Sequence, residues 1–187
     1  MNPIAFAMTG LIFGLWLNAF ALLGIGAAPA KEGAVSPTKT VGAAGSLVAA
    51  ITLVFMAIWL TVGQPFGAGE PVNVLFAAIG GMYGLLWIGV FAVQWYELDG
   101  RPVGNLCLLM AIMQVIHMIG VAVVVGTVGA HVWLVQLVLA SYVVLLLLFW
   151  GLFYGKVPAR AAGWWAIVTC FTTGYLLWFG GGIFPTP

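Results

Sequence analysis

Two long apolar runs joined by a short polar turn lie between Gly80 and Gly120. The turn reads ELDGRP, from Glu97 to Pro102. Each flanking run has the roughly 20 apolar residues that a helix needs to cross the hydrocarbon of a bilayer. A soluble fold would have to bury both runs in a core with almost no polar surface. The pair therefore predicts a transmembrane helical hairpin.

The whole chain shares this character. Of its 187 residues, 64% are hydrophobic and only 5% are charged, whereas a soluble domain usually has about a quarter charged residues. We therefore expect a single membrane domain over residues 1–187, solvated mainly by lipid. The N-terminal segment lacks the basic start and the small-residue cleavage site of a signal peptide, so its apolar run is expected to be retained. The net charge of +1 gives no indication of nucleic-acid binding.

The apolar runs number six in all, and short polar connections separate them. They lie near residues 3–27, 39–62, 72–95, 103–126, 131–154 and 162–183. Helices are the expected spanning elements, because open strands would leave backbone groups unpaired in lipid. The predicted fold class is an all-α polytopic membrane protein with six transmembrane helices.

The basic residues predict the orientation of these helices. All five lie in the first, third and fifth connections: Lys31, Lys39, Arg101, Lys156 and Arg160. That face should be cytoplasmic by the positive-inside rule. Both termini would then lie on the periplasmic or extracellular side, where the connections have only Glu70 and His131 as titratable groups. The predicted arrangement is three helical hairpins, each with its turn inside.

Several aromatic and polar residues fall at depths where lipid-facing side chains would be apolar. Tyr83 and Trp87 are four residues apart and share a helix face. Others at comparable depth are Trp16, Asn18, Gln114, His117, Ser141, Tyr142, Thr169, Thr172, Thr173 and Tyr175. Polar side chains in a bilayer should face the bundle interior or a wet cavity. The set predicts a narrow pathway with aromatic walls and few polar groups.

A simpler interpretation stays open for each residue alone. A single Asn, Gln or Thr in such a helix usually makes an interhelical hydrogen bond. His117 is expected to be a packed, neutral side chain, because no second ligand accompanies it. Cys107 and Cys170 are expected to act as small hydrophobes. We therefore predict no metal site and no cofactor.

The predicted spans contain no Asp, Glu, Lys or Arg near mid-membrane. A coupled proton would have no carboxylate to carry it, and an ion would meet no charged ring. The chain also lacks a set of nucleophile, base and orienting residue, and it has no HExxH motif. These absences argue against an enzyme and favour an uncharged permeant. A small planar polar molecule suits aromatic walls with a few polar groups at its edge.

Two segments of the chain match a known pattern. The clearer one has Tyr83 and Trp87 on the third helix, followed by the Leu98-Asp99 turn and Arg101-Pro102. The other runs from Trp164 to Tyr175, while the Asn18 region and Ser36-Pro37 agree more loosely. With these motifs the chain resembles the UreI/AmiS family of urea and short-chain amide channels.

The resemblance implies three hairpins around a pore in each protomer, six protomers in a ring, and a place in the bacterial inner membrane. It also implies that Leu15 faces the pore. The expected pore-lining set is Leu15, Tyr83, Trp87, Tyr142, Thr169, Gln114 and Asn18. The fifth helix departs from the family's tryptophan stripe, with Tyr142 as its aromatic candidate. Thr169 falls where acid-gated urea channels of the family have a carboxylate. A short hydroxyl residue at this position is more similar to the amide members.

The leading hypothesis is thus a passive channel for short-chain aliphatic amides, urea or both. Its expected partners are the neutral solute, membrane lipids and further copies of the chain. Two alternatives stay open: a non-conducting membrane sensor or assembly subunit, and a proton-coupled small-solute transporter. The missing intramembrane carboxylates disfavour the transporter.

We predict that transport is not activated by acid. A periplasmic acid sensor needs titratable groups in the outer connections, and the chain supplies only Glu70 and His131 there. Flux of a labelled amide into proteoliposomes should therefore change little between neutral and acid external pH. A steep rise on acidification would contradict this expectation.

Overall fold

The structure is a computed structural model that describes residues 2–26, 35–125 and 132–180. Lys31 and His131 lie outside the described residues. Within the described ranges the regular structure is helical throughout, which confirms the all-α class. The long helices are α1 Pro3–Leu23, α2 Pro37–Gly63, α3 Pro71–Tyr96, α4 Arg101–Val125, α5 Val132–Phe153 and α6 Ala159–Gly180.

Proline and glycine define several helix ends. Pro3, Pro37 and Pro71 begin α1, α2 and α3, where the missing N–H would have no partner in the helix anyway. The Asn2 side chain accepts a hydrogen bond of 2.9 Å from a backbone N–H of the first turn of α1. Gly24 ends α1 with φ of 75°, so the helix stops before the predicted end of the first apolar run.

The helices α1 to α5 are long and apolar enough to cross a membrane. These five candidate spans indicate a multi-pass membrane protein. Helix α6 has 22 residues and extends about 33 Å at 1.5 Å per residue, so its length suits a bilayer. Its tryptophan, threonine and glycine residues dilute its apolar character, and its crossing of the membrane stays a prediction.

The six helices pack in a closed ring. Each helix contacts the next one along the chain, and α6 packs along α1 in the antiparallel direction. The most extensive contacts pair α1 with α6, α2 with α3, and α4 with α5. The most extensive contacts are therefore not within the predicted hairpins. They lie between helices that belong to different hairpins.

Glycines explain much of this close packing. A Cβ on Gly84 of α3 would lie 2.7 Å from Val54 Cγ2 and 3.2 Å from the Val54 backbone nitrogen of α2. On α6, a Cβ on Gly163 would lie 3.1 Å from the Ala19 carbonyl oxygen of α1. At such distances even a methyl group would force the neighbouring helix to shift. These glycines thus let neighbouring helices of the same chain pack closely.

The four described basic residues lie at one end of the ring, which we call the basic end. Lys39 Nζ lies 3.4 Å from Glu97 Oε1, and Arg101 forms an exposed ion pair of 2.6 Å with Asp99. The Arg101 hydrogen bonds hold the pKa of the Asp99 carboxyl below its ordinary value. Lys156 and Arg160 flank the start of α6 at the same end. These residues lie on one side of the helical ring, as their positions in the sequence predict. The cytoplasmic location of that side stays a prediction.

We predict that Gly84→Ala lowers stability by roughly 1–3 kcal/mol, the range for overpacked cores, because the new methyl group would clash with Val54 on α2. The matched control is Gly81→Ala on the same helix, where the nearest atom, Ala57 Cβ, would be 3.7 Å away. Thermal unfolding in detergent would compare the two variants. Equal midpoints would contradict the proposed role of Gly84 in packing.

Candidate functional site

Three cavities follow one another along the axis of the ring. We call them the terminal cavity, at the end where α1 begins, the central cavity, and the basic-end cavity. The terminal and central cavities share Leu11, Tyr83 and Tyr142 as lining residues. The central and basic-end cavities share Val90 and Phe149. This order arises because α1, α3 and α5 run in the same direction and contribute successive turns to each cavity.

The cavities differ in size. The space open to a water-sized sphere is about 50 Å³ in the terminal cavity, about 20 Å³ in the central cavity and about 220 Å³ in the basic-end cavity. One water needs roughly 10–15 Å³ by this measure. The central cavity therefore holds about one water and is the smallest of the three.

The central cavity brings together four of the predicted lining residues. Leu15 comes from α1, Tyr83 and Trp87 from α3, and Tyr142 from α5. All four are buried, with Trp87 only 4% exposed. The ring centres of Tyr83 and Tyr142 lie 5.6 Å apart with their planes inclined by 55°. Aromatic side chains from two helices thus face each other at the smallest of the three cavities.

The other three predicted residues are buried in different places. Asn18 lines the basic-end cavity. Gln114 and Thr169 line none of the three cavities. Gln114 lies behind Tyr83 and accepts a hydrogen bond of 3.1 Å from its hydroxyl group. The Thr169 hydroxyl donates to the Trp165 carbonyl oxygen of its own helix at 2.9 Å.

Hydroxyl groups join α5 to α6 beside the central cavity. The Tyr142 and Thr173 hydroxyls are 2.5 Å apart, and those of Ser141 and Thr172 are 3.1 Å apart. These pairs agree with the simpler interpretation of the polar residues as interhelical hydrogen bonds. The Thr173 contact also fixes the Tyr142 ring at the cavity wall.

Trp16 does not belong to this site. It is 38% exposed on the outer surface of the ring, and its ring packs against Phe20 and Phe171. Its side of α1 points away from the axis, and it lines none of the three cavities. Depth along a helix is thus insufficient to assign a residue to the axis.

Two residues outside the predicted lining set, Ser46 and Gln94, complete a closed hydrogen-bond network with Asn18. The Gln94 Nε2 group donates to Asn18 Oδ1 at 2.6 Å. The Ser46 hydroxyl donates to Gln94 Oε1 at 2.7 Å. Asn18 Nδ2 donates to Ser46 Oγ at 3.1 Å. Three helices are joined here, one residue from each of α1, α2 and α3.

A signal for Gln94 was present in the sequence. Tyr83, Trp87, Val90 and Gln94 follow at spacings of four, three and four residues, which places them on one helix face. No such periodicity identifies Ser46, because it ends a π-helical segment, Gly42–Ser46, inside α2. A π turn shifts the register of the residues around it, and such turns are frequent at functional sites.

The lining of all three cavities is uncharged. Within the described part of the chain no group of three His, Cys, Asp or Glu side chains could hold a metal ion. The chain matches no family model, no curated protein and no solved structure. The site's chemistry therefore has to be argued from its own residues.

We predict that Asn18→Ala lowers stability by roughly 1–2 kcal/mol, the upper range for interhelical hydrogen bonds in membranes, because Ser46 and Gln94 would each lose a partner. Ser46→Ala should add little to it, since both variants break the same network. The control is Asn105→Ala, which removes an exposed acceptor of the Tyr154 hydroxyl. Unfolding midpoints in detergent would be compared for the wild type, the two single variants, the double variant and the control, and full additivity of the two network variants would contradict the coupling.

Proposed function

We propose that the chain is a passive, bidirectional channel for small neutral amides, meaning short-chain aliphatic amides, urea or both. It would lie in the inner membrane of a bacterium, with the basic end facing the cytoplasm and both termini on the periplasmic or extracellular side. The single observation that supports the proposal best is the series of three cavities that share lining residues along the axis of a closed helical ring.

The chemistry of the lining supports an uncharged permeant. An ion entering the axis would lose its hydration shell without gaining a charged partner, because the lining side chains are neutral. A flat amide loses less on leaving water. Its faces contact Tyr83, Trp87 and Leu15 by dispersion, and its edges meet the few polar groups near the cavities.

The family resemblance supports the same conclusion from a different direction. The residues that match the aromatic pore positions, Tyr83 and Trp87, lie at one level with Leu15 and Tyr142. The resemblance is to the UreI/AmiS channels, and with it we propose a homohexamer with one pore in each protomer. Cytosolic hydrolysis of the amide would then maintain the inward gradient.

The narrow central cavity determines how permeation would occur. Its space of about 20 Å³ is too small for an amide while the lining side chains keep these positions. Small rotations of Leu15 or the aromatic rings would open the passage transiently. Gln114 and Thr173 restrain the two tyrosines, so the opening should stay small and favour the smallest, flattest solutes.

We predict that Trp87→Ala changes the ratio of acetamide to urea permeability by about tenfold or more, which corresponds to about 1.4 kcal/mol in the relative barriers. Removing the indole widens the central cavity and admits larger amides. The control is Trp178→Ala on α6, where the ring is 48% exposed at the outer surface. Stopped-flow or tracer flux in proteoliposomes would measure both ratios.

Equal effects of the two tryptophan variants would contradict the assignment of Trp87 to the pore. Absence of any flux or counterflow of acetamide and urea by the wild-type protein would refute the channel and favour the non-conducting sensor or assembly subunit. Uptake against a gradient driven by external acid would instead favour the proton-coupled transporter.

A further inference from the structure

The basic-end cavity has the composition of a binding site. It is the largest of the three, at about 220 Å³, and the only one of them lined by side-chain amides. Asn18, Gln94 and Thr38 provide polar groups, and Phe149 and Phe153 provide flat aromatic surface. An apolar cavity with a few polar groups is the usual form of a small-molecule site.

The hydrogen bonds define which way the two amide groups point. Asn18 Nδ2 donates to the Gly14 backbone oxygen at 2.8 Å, and a carbonyl oxygen can only accept. Asn18 Oδ1 must therefore be the atom that faces Gln94 and accepts from its Nε2 group. The Gln94 oxygen is then the acceptor of the Ser46 hydroxyl. The network is consistent in only this orientation.

This orientation leaves Gln94 with hydrogen-bonding capacity in the cavity. A carboxamide has two N–H groups and an oxygen with two lone pairs. The network uses one N–H and one lone pair of Gln94. Among the described residues, the second N–H and the second lone pair have no partner. Gln94 is half-buried and lines the cavity, so these are the two groups that it has left to offer to a solute.

We propose that the basic-end cavity binds the permeating solute, and that Gln94 recognises its amide group through one hydrogen-bond donor and one acceptor. The inference rests on the proposed channel function and names the chemical class of solute that the cavity prefers. Primary amides and urea carry both a carbonyl oxygen and N–H groups, so they can use both contacts at once. Thr38 adds a hydroxyl group to the same wall, and Phe149 and Phe153 pack against the face of the solute.

The test uses three isomers of one molecular formula. Propionamide, N-methylacetamide and N,N-dimethylformamide all have one carbonyl oxygen, but they have two, one and no N–H groups. Each would compete with tracer urea flux in proteoliposomes, after subtraction of flux in protein-free vesicles. We expect wild-type protein to be inhibited by propionamide at roughly three- to tenfold lower concentration than by N,N-dimethylformamide, the effect of about one net hydrogen bond.

The variant Gln94→Met should reduce this ratio to about one, because methionine keeps the length of the side chain and loses both polar groups. The matched control is Gln136→Met, since Gln136 is half-buried like Gln94 but lines none of the three cavities. The Gln136 side chain makes one hydrogen bond, to the Met118 carbonyl oxygen. Should Gln94→Met fail to fold, Thr38→Val tests the same wall without breaking the network, and it should also lower the ratio.

The outcomes separate this inference from the function on which it rests. Absence of any protein-dependent urea flux would refute both. Normal flux with equal inhibition by the three isomers would overturn the amide-binding cavity alone and leave the channel in place. The same would follow if Gln94→Met kept the wild-type preference or if Gln136→Met lost it equally.

Discussion

The packing of α6 against α1 closes the helices into the ring that surrounds the three axial cavities. Gly163 allows the two helices to approach closely, because a Cβ at this position would lie only 3.1 Å from the Ala19 carbonyl oxygen. Farther along the same pair, the Cys170 thiol approaches the Ile12 carbonyl oxygen at 3.6 Å. Without this contact the ring would be open between α1 and α6, and the faces that now pack together would meet lipid.

Closure gives each helix two different environments. In a bilayer the outer face needs only apolar side chains, and exposed groups such as Phe13 and Phe171 meet that need. The inner face can hold polar atoms only when they find partners. Tyr83 bonds to Gln114 and Tyr142 to Thr173, so the two rings that face each other at the central cavity are both held from behind.

The axis changes character from one end to the other. Aromatic and aliphatic groups alone line the narrow centre, while the amides of Asn18 and Gln94 line the wider basic-end cavity. For the proposed permeant, the first region would select by size and flatness, and the second by hydrogen bonding. The π turn that ends at Ser46 supports the second region, because it positions the hydroxyl that orients Gln94.

Much of the fold followed from the sequence alone. Apolar runs of bilayer length fixed the all-helical class, since a backbone in lipid must satisfy its own hydrogen bonds, and the polar connections located the helix ends to within a few residues. Helical periodicity also placed Tyr83 and Trp87 on one face, because residues four apart always share one.

Only the tertiary structure decided which face of each helix points inward. The sequence shows how far along its helix a residue lies, and Trp16 and Trp87 lie at similar levels. Trp16 is nevertheless on the outer surface of the ring, whereas Trp87 is buried inside it. The Asn18, Ser46 and Gln94 network joins residues up to 76 positions apart, and no local pattern encodes such a contact. The closest helix pairs likewise depend on where glycines meet across an interface, because close packing requires complementary surfaces from two separate helices.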